Sequence, residues 1–433
     1  MGESLLNLPL KLFETVADTV GTPVYVYSVQ AIRDQWRMLE AALADVPHRV
    51  HFSVKANSNL AVLNVLRDLG AGVDIVSGAE LSRAQLAGFM GAEIVFSGVG
   101  KTAAELRRAA EAHVSLINVE SDVEFAALAA VVSQYGLTAN VGIRVNPNVT
   151  TDTHPYTQTG HSGLKFGVPL DQVEELALRM HHTPGVRLTG IGMHLGSQIS
   201  DPSRYEEGIE QLLTLVRLLQ GAGVSSLRSL DIGGGFAVSY GIQDGLDLTA
   251  LSQIVKRIDR ETGLETLLEP GRYLTANAGF LLTRVLYRKS SGGRSFVIID
   301  AGMNDFIRPS YYQAHHEIAV VTSGEISATD RAGPVDVVGP ICETSDFQAL
   351  NRSMPPVGPN ALLAICGAGA YGFSMSSTYN SRPRAAEVLI DGDRFAIIRE
   401  RERVDHLWMG ENLEPEWQTM EGRAEDERRE EIA

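Results

Sequence analysis

The chain has 433 residues, 44% of them hydrophobic, with 53 acidic against 37 basic side chains and a formal charge of -16. That length and apolar content support about two or three domains with buried cores, and the negative charge argues against nucleic acid or an acidic membrane surface as partner. Two cysteines, Cys342 and Cys366, make no disulfide framework, so a reducing cytoplasm is the expected setting and any special cysteine a free thiol.

Residues 1–30 hold an amphipathic stretch, Leu5 to Val20, and a strand-like run, Val24 to Tyr27, that is expected to join a β domain formed later in the chain. The N-terminus lacks the charged-then-apolar layout of a signal peptide, and no run approaches the ~20 apolar residues of a membrane span.

From Val50 to about Pro270, short apolar runs alternate with helical patterns. Strands are expected near 50–55, 72–76, 93–97, 114–118, 138–145, 186–194, 229–232 and 266–269. Between them, Leu60–Leu69, Glu80–Phe89, Ala103–Ala112, Asp122–Ser133, Leu170–His181, Tyr205–Gln220 and Leu248–Arg260 carry apolar residues three and four apart. This alternation predicts a (β/α)8 barrel over residues 31–282.

Polar residues cluster at the C-terminal ends of those strands: Lys55, Ser77, Ser97, Asn118, Arg144 with Asn146, His194, Gly233–Gly235 and Glu269. In such a barrel these ends form one face, the face that carries active sites. Beyond about Leu282 the periodicity changes to short apolar segments separated by Gly, Pro, Asp and Ser, which predicts a second, mainly β domain over 283–412, a barrel or sandwich. With Val24–Tyr27 it would be discontinuous in sequence. Residues 413–433 are a charged tail with little to pack beyond Trp417.

The chemistry starts at His51-Phe52-Ser53-Val54-Lys55-Ala56-Asn57. A lysine at a strand end either snorkels to solvent or, if desolvated and stripped of its proton, serves as a nucleophile that forms Schiff bases with aldehydes. His194, in HLGSQ, is a flat ring suited to stacking, base chemistry or metal binding. It has no second ligand at a metal-binding spacing, so no metal site is expected. The glycine triplet of DIGGGF at 231–236 lets backbone amides approach an anion, and the loop after the seventh strand of such a barrel is a recurrent phosphate site. Glu269, in EPGR at 269–272, either holds a proton on a heterocyclic nitrogen or pairs with Arg272. An amine for an aldehyde, amides for a phosphate, a carboxylate for a ring nitrogen and a flat ring for stacking together describe a pyridoxal phosphate site.

These motifs resemble those of the fold-type III pyridoxal phosphate decarboxylases. Later ones, GMNDFIRP at 302–309, Tyr311-Tyr312, GPICE at 339–343, GAYG at 369–372 and MSSTYNSRP at 375–383, narrow the resemblance to the diaminopimelate decarboxylases, over roughly residues 20 to 410. The resemblance implies that Lys55 bonds covalently to pyridoxal phosphate, His194 stacks on its ring, and Glu269 pairs with the pyridinium nitrogen. Ser197, Gly234 and Gly235 would receive the phosphate, helped by backbone near Gly271 and Arg272. Arg272, Arg308, Tyr312 and Glu343 would hold the substrate, Tyr371 would border cofactor and substrate, and Cys342 would donate a proton. The Cys342-Glu343 side of the site would come from a second subunit, so a homodimer is expected. The implied reaction converts meso-diaminopimelate to L-lysine and CO2.

Sister decarboxylases of ornithine, arginine, carboxynorspermidine or a carrier-bound amino acid, a racemase of the same barrel class, and a non-catalytic cofactor-binding protein are the alternatives. Arg308 argues against ornithine and arginine, which lack a distal carboxylate. The second domain argues against mere binding. Cys366, in an apolar run, reads as inert, and Thr150–Gly163 as a loop over the site.

Overall fold

The computed structural model describes residues 10–417 except 152, 162, 242–243 and 328–331. Strand β1 (Val24–Ser28) follows a helix over Leu10–Val20 and precedes one over Val29–Leu43. The second of these begins because Ser28 accepts the Ala31 amide, a cap worth about 1 kcal/mol. It buries Ile32, Trp36, Leu39 and Leu43 at helical spacing. Sequence analysis did not single it out, although its cap and apolar stripe were both present.

The barrel strands follow: β2 (His48–Ser53), β3 (Gly72–Ile75), β4 (Ile94–Phe96), β5 (Leu116–Val119), β6 (Ala139–Asn146), β7 (Val168–Pro169), β8 (Val186–Met193), β9 (Ser229–Asp231) and β10 (Glu265–Leu268). All pair in parallel. The ring runs β2-β3-β4-β5-β6-β8-β9-β10 and closes on β2, with two-residue β7 beside β6. This is the expected (β/α)8 barrel. Its helices show why the periodicity was legible: the helix over Leu248–Thr262 buries Leu251, Ile254, Val255 and Ile258. Asp247 caps its start and left-handed Gly263 (φ 65°) ends it. Each of those buried aliphatic side chains contributes roughly 1.5–3 kcal/mol.

The second domain comprises β11 (Gly279–Ser291), β12 (Arg294–Ile299), β13 (Ile318–Thr322), β14 (Gly333–Val338), β15 (Phe347–Met354), β16 (Leu362–Cys366), β17 (Ala386–Asp391) and β18 (Arg394–Arg399). Here β1 lies between β11, to which it is antiparallel, and β17, to which it is parallel, so this sheet is discontinuous in sequence as expected. Strand β15 was not expected, because FQALNRSM lacks an apolar alternation. The amphipathic stretch expected over Leu5–Val20 is helical from Leu10; residues 5–9, and the charged tail beyond 417, lie outside the described residues.

Candidate active site

At the C-terminal ends of the barrel strands a cavity of about 410 Å³ is lined by Lys55, Ser97, Arg144, His194, Asp231 and Glu269, among others. Lys55 was expected to end a strand. It instead sits two residues beyond β2, on a 3-10 turn over Val54–Ala56, which swings the amine over the rim.

Its Nζ lies 2.6 Å from Asp74 Oδ2 and 3.3 Å from Ser53 Oγ. Burial opposes the ammonium, but Asp74, with Tyr371 and Glu269 adding, outweighs it and holds the amine above the ordinary lysine range. The free protein therefore carries a charged lysine rather than one neutralised by desolvation. Asp74, fully buried in the apolar run of β3, received no role from sequence.

Across the cavity, buried Glu269 is hydrogen-bonded to buried Asp231. Burial, then repulsion from Asp231 and Asp74, raises Glu269 well above the carboxylate range, while burial raises Asp231 to about 6. Two carboxyls this close share a proton, and Glu269 is the one that keeps it. Around them Ser97 Oγ donates to Glu269 Oε1 at 3.3 Å, and Asn118 Nδ2 reaches Ser97 Oγ at 3.2 Å and Asp231 Oδ2 at 3.3 Å.

His194 is held neutral: burial, then Arg144 and Lys55, lowers its pKa well below the usual histidine value. Its Nδ1 accepts the Gly234 amide at 3.1 Å, so that amide, expected to face a phosphate, is engaged by the imidazole. The glycines are required sterically. A Cβ on Gly234 would lie 2.0 Å from the Glu269 carbonyl oxygen, and one on Gly235 (φ +88°) 2.3 Å from that of Gly196. Gly271 lets its backbone pack on Ser53 and Ala56, where a Cβ would come within 3.0 Å of both side chains.

A second cavity of about 260 Å³ is lined in part by His154, Ser197, Tyr240, Arg272, Arg308 and Tyr312. Arg272 donates to Ser197 Oγ at 2.9 Å and to the Tyr240 hydroxyl at 2.9 Å, and it lies 4.8 Å from the Tyr371 ring centroid. Arg308 donates from Nε to His316 Nε2 at 3.2 Å, and His316 Nδ1 in turn faces the Cys366 carbonyl at 2.9 Å. Burial, then Arg308, keeps His316 neutral and able to accept. Both arginines are buried, at 8% and 5% exposure, yet among the described residues neither has a carboxylate within ion-pair range. Two buried guanidiniums without a counter-anion are costly, and a site of this kind is completed by an anionic ligand.

Tyr371 donates its amide to the Ala56 carbonyl at 2.8 Å, which sets it beside the lysine turn. Cys342 and Glu343 are exposed and line neither cavity of the single chain. Burial, then Glu317, pushes the Cys366 thiol up to about 11. Thr153, His154 and Thr157 border the arginine cavity, so the described part of the expected loop does lie over this face.

Sequence analysis missed Asp74, Tyr240 and His316, and gave Asp231 no role. A charge inside the apolar run Val73-Asp74-Ile75-Val76 was the one available signal, since such a residue must be paired. The rim fits pyridoxal phosphate: amine, neutral ring and protonated carboxyl line one cavity of ligand size, and the glycine loop adjoins it through the Gly234 amide on His194.

Comparison with known proteins agrees. Residues 29–276 match the family model described as pyridoxal-dependent decarboxylase, pyridoxal binding domain. Diaminopimelate decarboxylase of Pseudomonas aeruginosa is 46% identical over 402 residues, covering 93% of this chain and 95% of that one. The Pseudomonas fluorescens enzyme is 45% identical over 403 residues, with the same coverages. Among solved structures, diaminopimelate decarboxylase from Helicobacter pylori complexed with L-lysine matches with a TM-score of 0.87 at 37% identity, covering 92% of this chain and 98% of that one. The M. jannaschii enzyme in co-complex with L-lysine matches with a TM-score of 0.85 at 32% identity, covering 93% and 94%.

Proposed function

This chain belongs to the diaminopimelate decarboxylases, a family of pyridoxal-dependent decarboxylases, and from that premise we propose that it converts meso-diaminopimelate to L-lysine and CO2. The observation that carries the substrate choice is the buried pair Arg272 and Arg308, left without a carboxylate partner among the described residues. A substrate with a second, non-reacting carboxylate supplies the missing anion, whereas ornithine or arginine does not.

Pyridoxal phosphate, when bound, supplies a protonated aromatic ring that accepts the electron pair left by departing CO2. The chain's own residues prepare that event. Lys55 binds the aldehyde end, and Asp74 and Ser53 hold its amine over the rim. Glu269, kept protonated by burial and by Asp231, holds a proton at the ring nitrogen. His194, neutral, covers one ring face without adding a charge that would compete with that proton.

Ser197, the Gly233–Gly235 loop and the backbone near Gly271 and Arg272 receive the phosphate. Arg308 and Tyr312, with Arg272, hold the distal carboxylate, which leaves the reacting carboxylate without a guanidinium to stabilise its ground state. Tyr371 borders both ligands. A second copy of the chain contributes Cys342 as the acid that protonates the α-carbon, and Glu343 as acceptor for the distal ammonium. The exposure of both residues in the single chain supports this homodimeric reading.

Two free cysteines support a cytoplasmic setting, and among the described residues no helix is long and apolar enough to cross a membrane. The test is to incubate cofactor-loaded protein separately with meso-diaminopimelate, ornithine and arginine and to quantify CO2. Release from diaminopimelate with matching L-lysine is expected, and a higher kcat/KM on ornithine or arginine would overturn the substrate assignment.

A further inference from the structure

Cys342 and Glu343 stand on the connection between β14 and β15, and a second segment, Ser376–Arg382, leans against them. Asp346 pins the first piece by accepting the Ile341 amide at 2.6 Å and the Met303 amide at 2.7 Å. The second is tied down by the Ser377 amide, which donates to the Asn304 carbonyl at 2.9 Å. Between the two, the Tyr379 hydroxyl donates to Glu343 Oε1, Ser345 Oγ donates to Glu343 Oε2 at 3.0 Å, and Asn380 Nδ2 lies 3.2 Å from Cys342 Sγ. Asn380 itself is left-handed (φ 57°, ψ 27°), a conformation that asparagine tolerates better than other side chains bearing a Cβ.

We propose that Asn380 is a positioning residue for the proton donor: its amide holds the Cys342 sulfur in the orientation from which the thiol gives its proton to the substrate carbon. This rests on the reading of Cys342 as the acid. An amide N–H can only donate, so the sulfur is the acceptor in this contact and its own proton is left to point away from Asn380. Glu343, the next residue in the chain, has its two oxygens engaged by Tyr379 and Ser345, which hold it below the usual carboxylate range. Tyr379 thus fixes the carboxylate as Asn380 fixes the thiol, and the pair is organised before any partner subunit arrives.

The bland explanation is that asparagine is present only for its left-handed backbone. Asn380→Gly separates the two, because glycine adopts the same φ without strain and removes only the amide. Asn380→Asp keeps the shape and replaces the donor by a carboxylate. The experiment follows the rate at which iodoacetamide alkylates Cys342 in the cofactor-loaded protein, read on the Cys342 peptide by mass spectrometry, together with kcat and KM for meso-diaminopimelate.

The amide's loss in Asn380→Gly is expected to release the sulfur, so that alkylation quickens and kcat falls about ten-fold while KM holds, and kcat of Asn380→Asp is expected to fall at least as far. Unchanged kcat in either variant, or a fall in kcat accompanied by an equal change in KM, would overturn the proposal. Cys342→Ser tests the underlying reading separately: full turnover in that variant would remove Cys342 from the reaction without affecting the alkylation result.

Discussion

Replacing Arg308 by methionine should separate function from stability in opposite directions. Arg308 is buried, keeps one neutral partner in His316, and is destabilised first by burial and then, past the attraction of Tyr240, by the neighbouring Arg272. A guanidinium that grips a carboxylate with two charged hydrogen bonds contributes roughly 3–5 kcal/mol, about two to three and a half orders of magnitude in kcat/KM. Arg272 remains nearby to hold the same anion singly, so the lower end of that range is expected for diaminopimelate. In the ligand-free protein, however, the substitution removes an uncompensated buried charge and keeps most of the side-chain volume. Apo stability should therefore rise by about 1–3 kcal/mol. Steady-state kinetics and urea melts of apo wild type and Arg308→Met give both quantities. A loss of kcat/KM below about five-fold, or an apo protein clearly less stable than wild type, would refute the view that this arginine waits for a ligand carboxylate.

Lys55→Ala should abolish both the visible cofactor band and turnover, whereas Cys342→Ala should keep the band and lose most of its product formation; spectra and CO2 assays distinguish them. Asp74→Asn should lower the Lys55 pKa, because the carboxylate that outweighs burial is gone. Cofactor capture by the apo protein, followed by growth of the visible band, should then persist to lower pH than in wild type, and an unshifted pH dependence would count against the ion pair. Asp231 titrates at about 6 in the fold, above the ordinary aspartate value, so the folded state binds more protons across that window. Apo stability therefore falls as pH rises from about 4 to 6. Asp231→Asn should flatten that decline in urea melts at pH 4.5 and 6.5, and parallel slopes would contradict it. Asp247→Ala should cost about 1 kcal/mol in the same melts and leave turnover unchanged.

The barrel was legible because each helix buries a stripe at helical spacing and each strand ends in, or is followed within two residues by, a polar residue. Lys55, His194 and Glu269 could be placed on one rim before any coordinates, since a closed parallel barrel puts all its strand ends there. What could not be read were contacts made at long separation. Tyr240 is an ordinary loop tyrosine until Arg272 and Arg308 flank it, and His316 looks like the neighbour of a surface histidine until the fold sets it under Arg308. Strand β15 escaped because its pairing with β14 orders it without an apolar alternation. The protonation of Lys55 was equally hidden, because it depends on Asp74, which is 19 residues away in sequence and 2.6 Å away in space.

Reducing the cofactor-loaded protein with borohydride and mapping the stabilised adduct by peptide mass spectrometry tests the account at its root. The pyridoxyl group is predicted on the peptide containing Lys55 and on no other. An adduct on a different lysine, with Lys55 unmodified, would contradict the assignment of this rim as the site of chemistry.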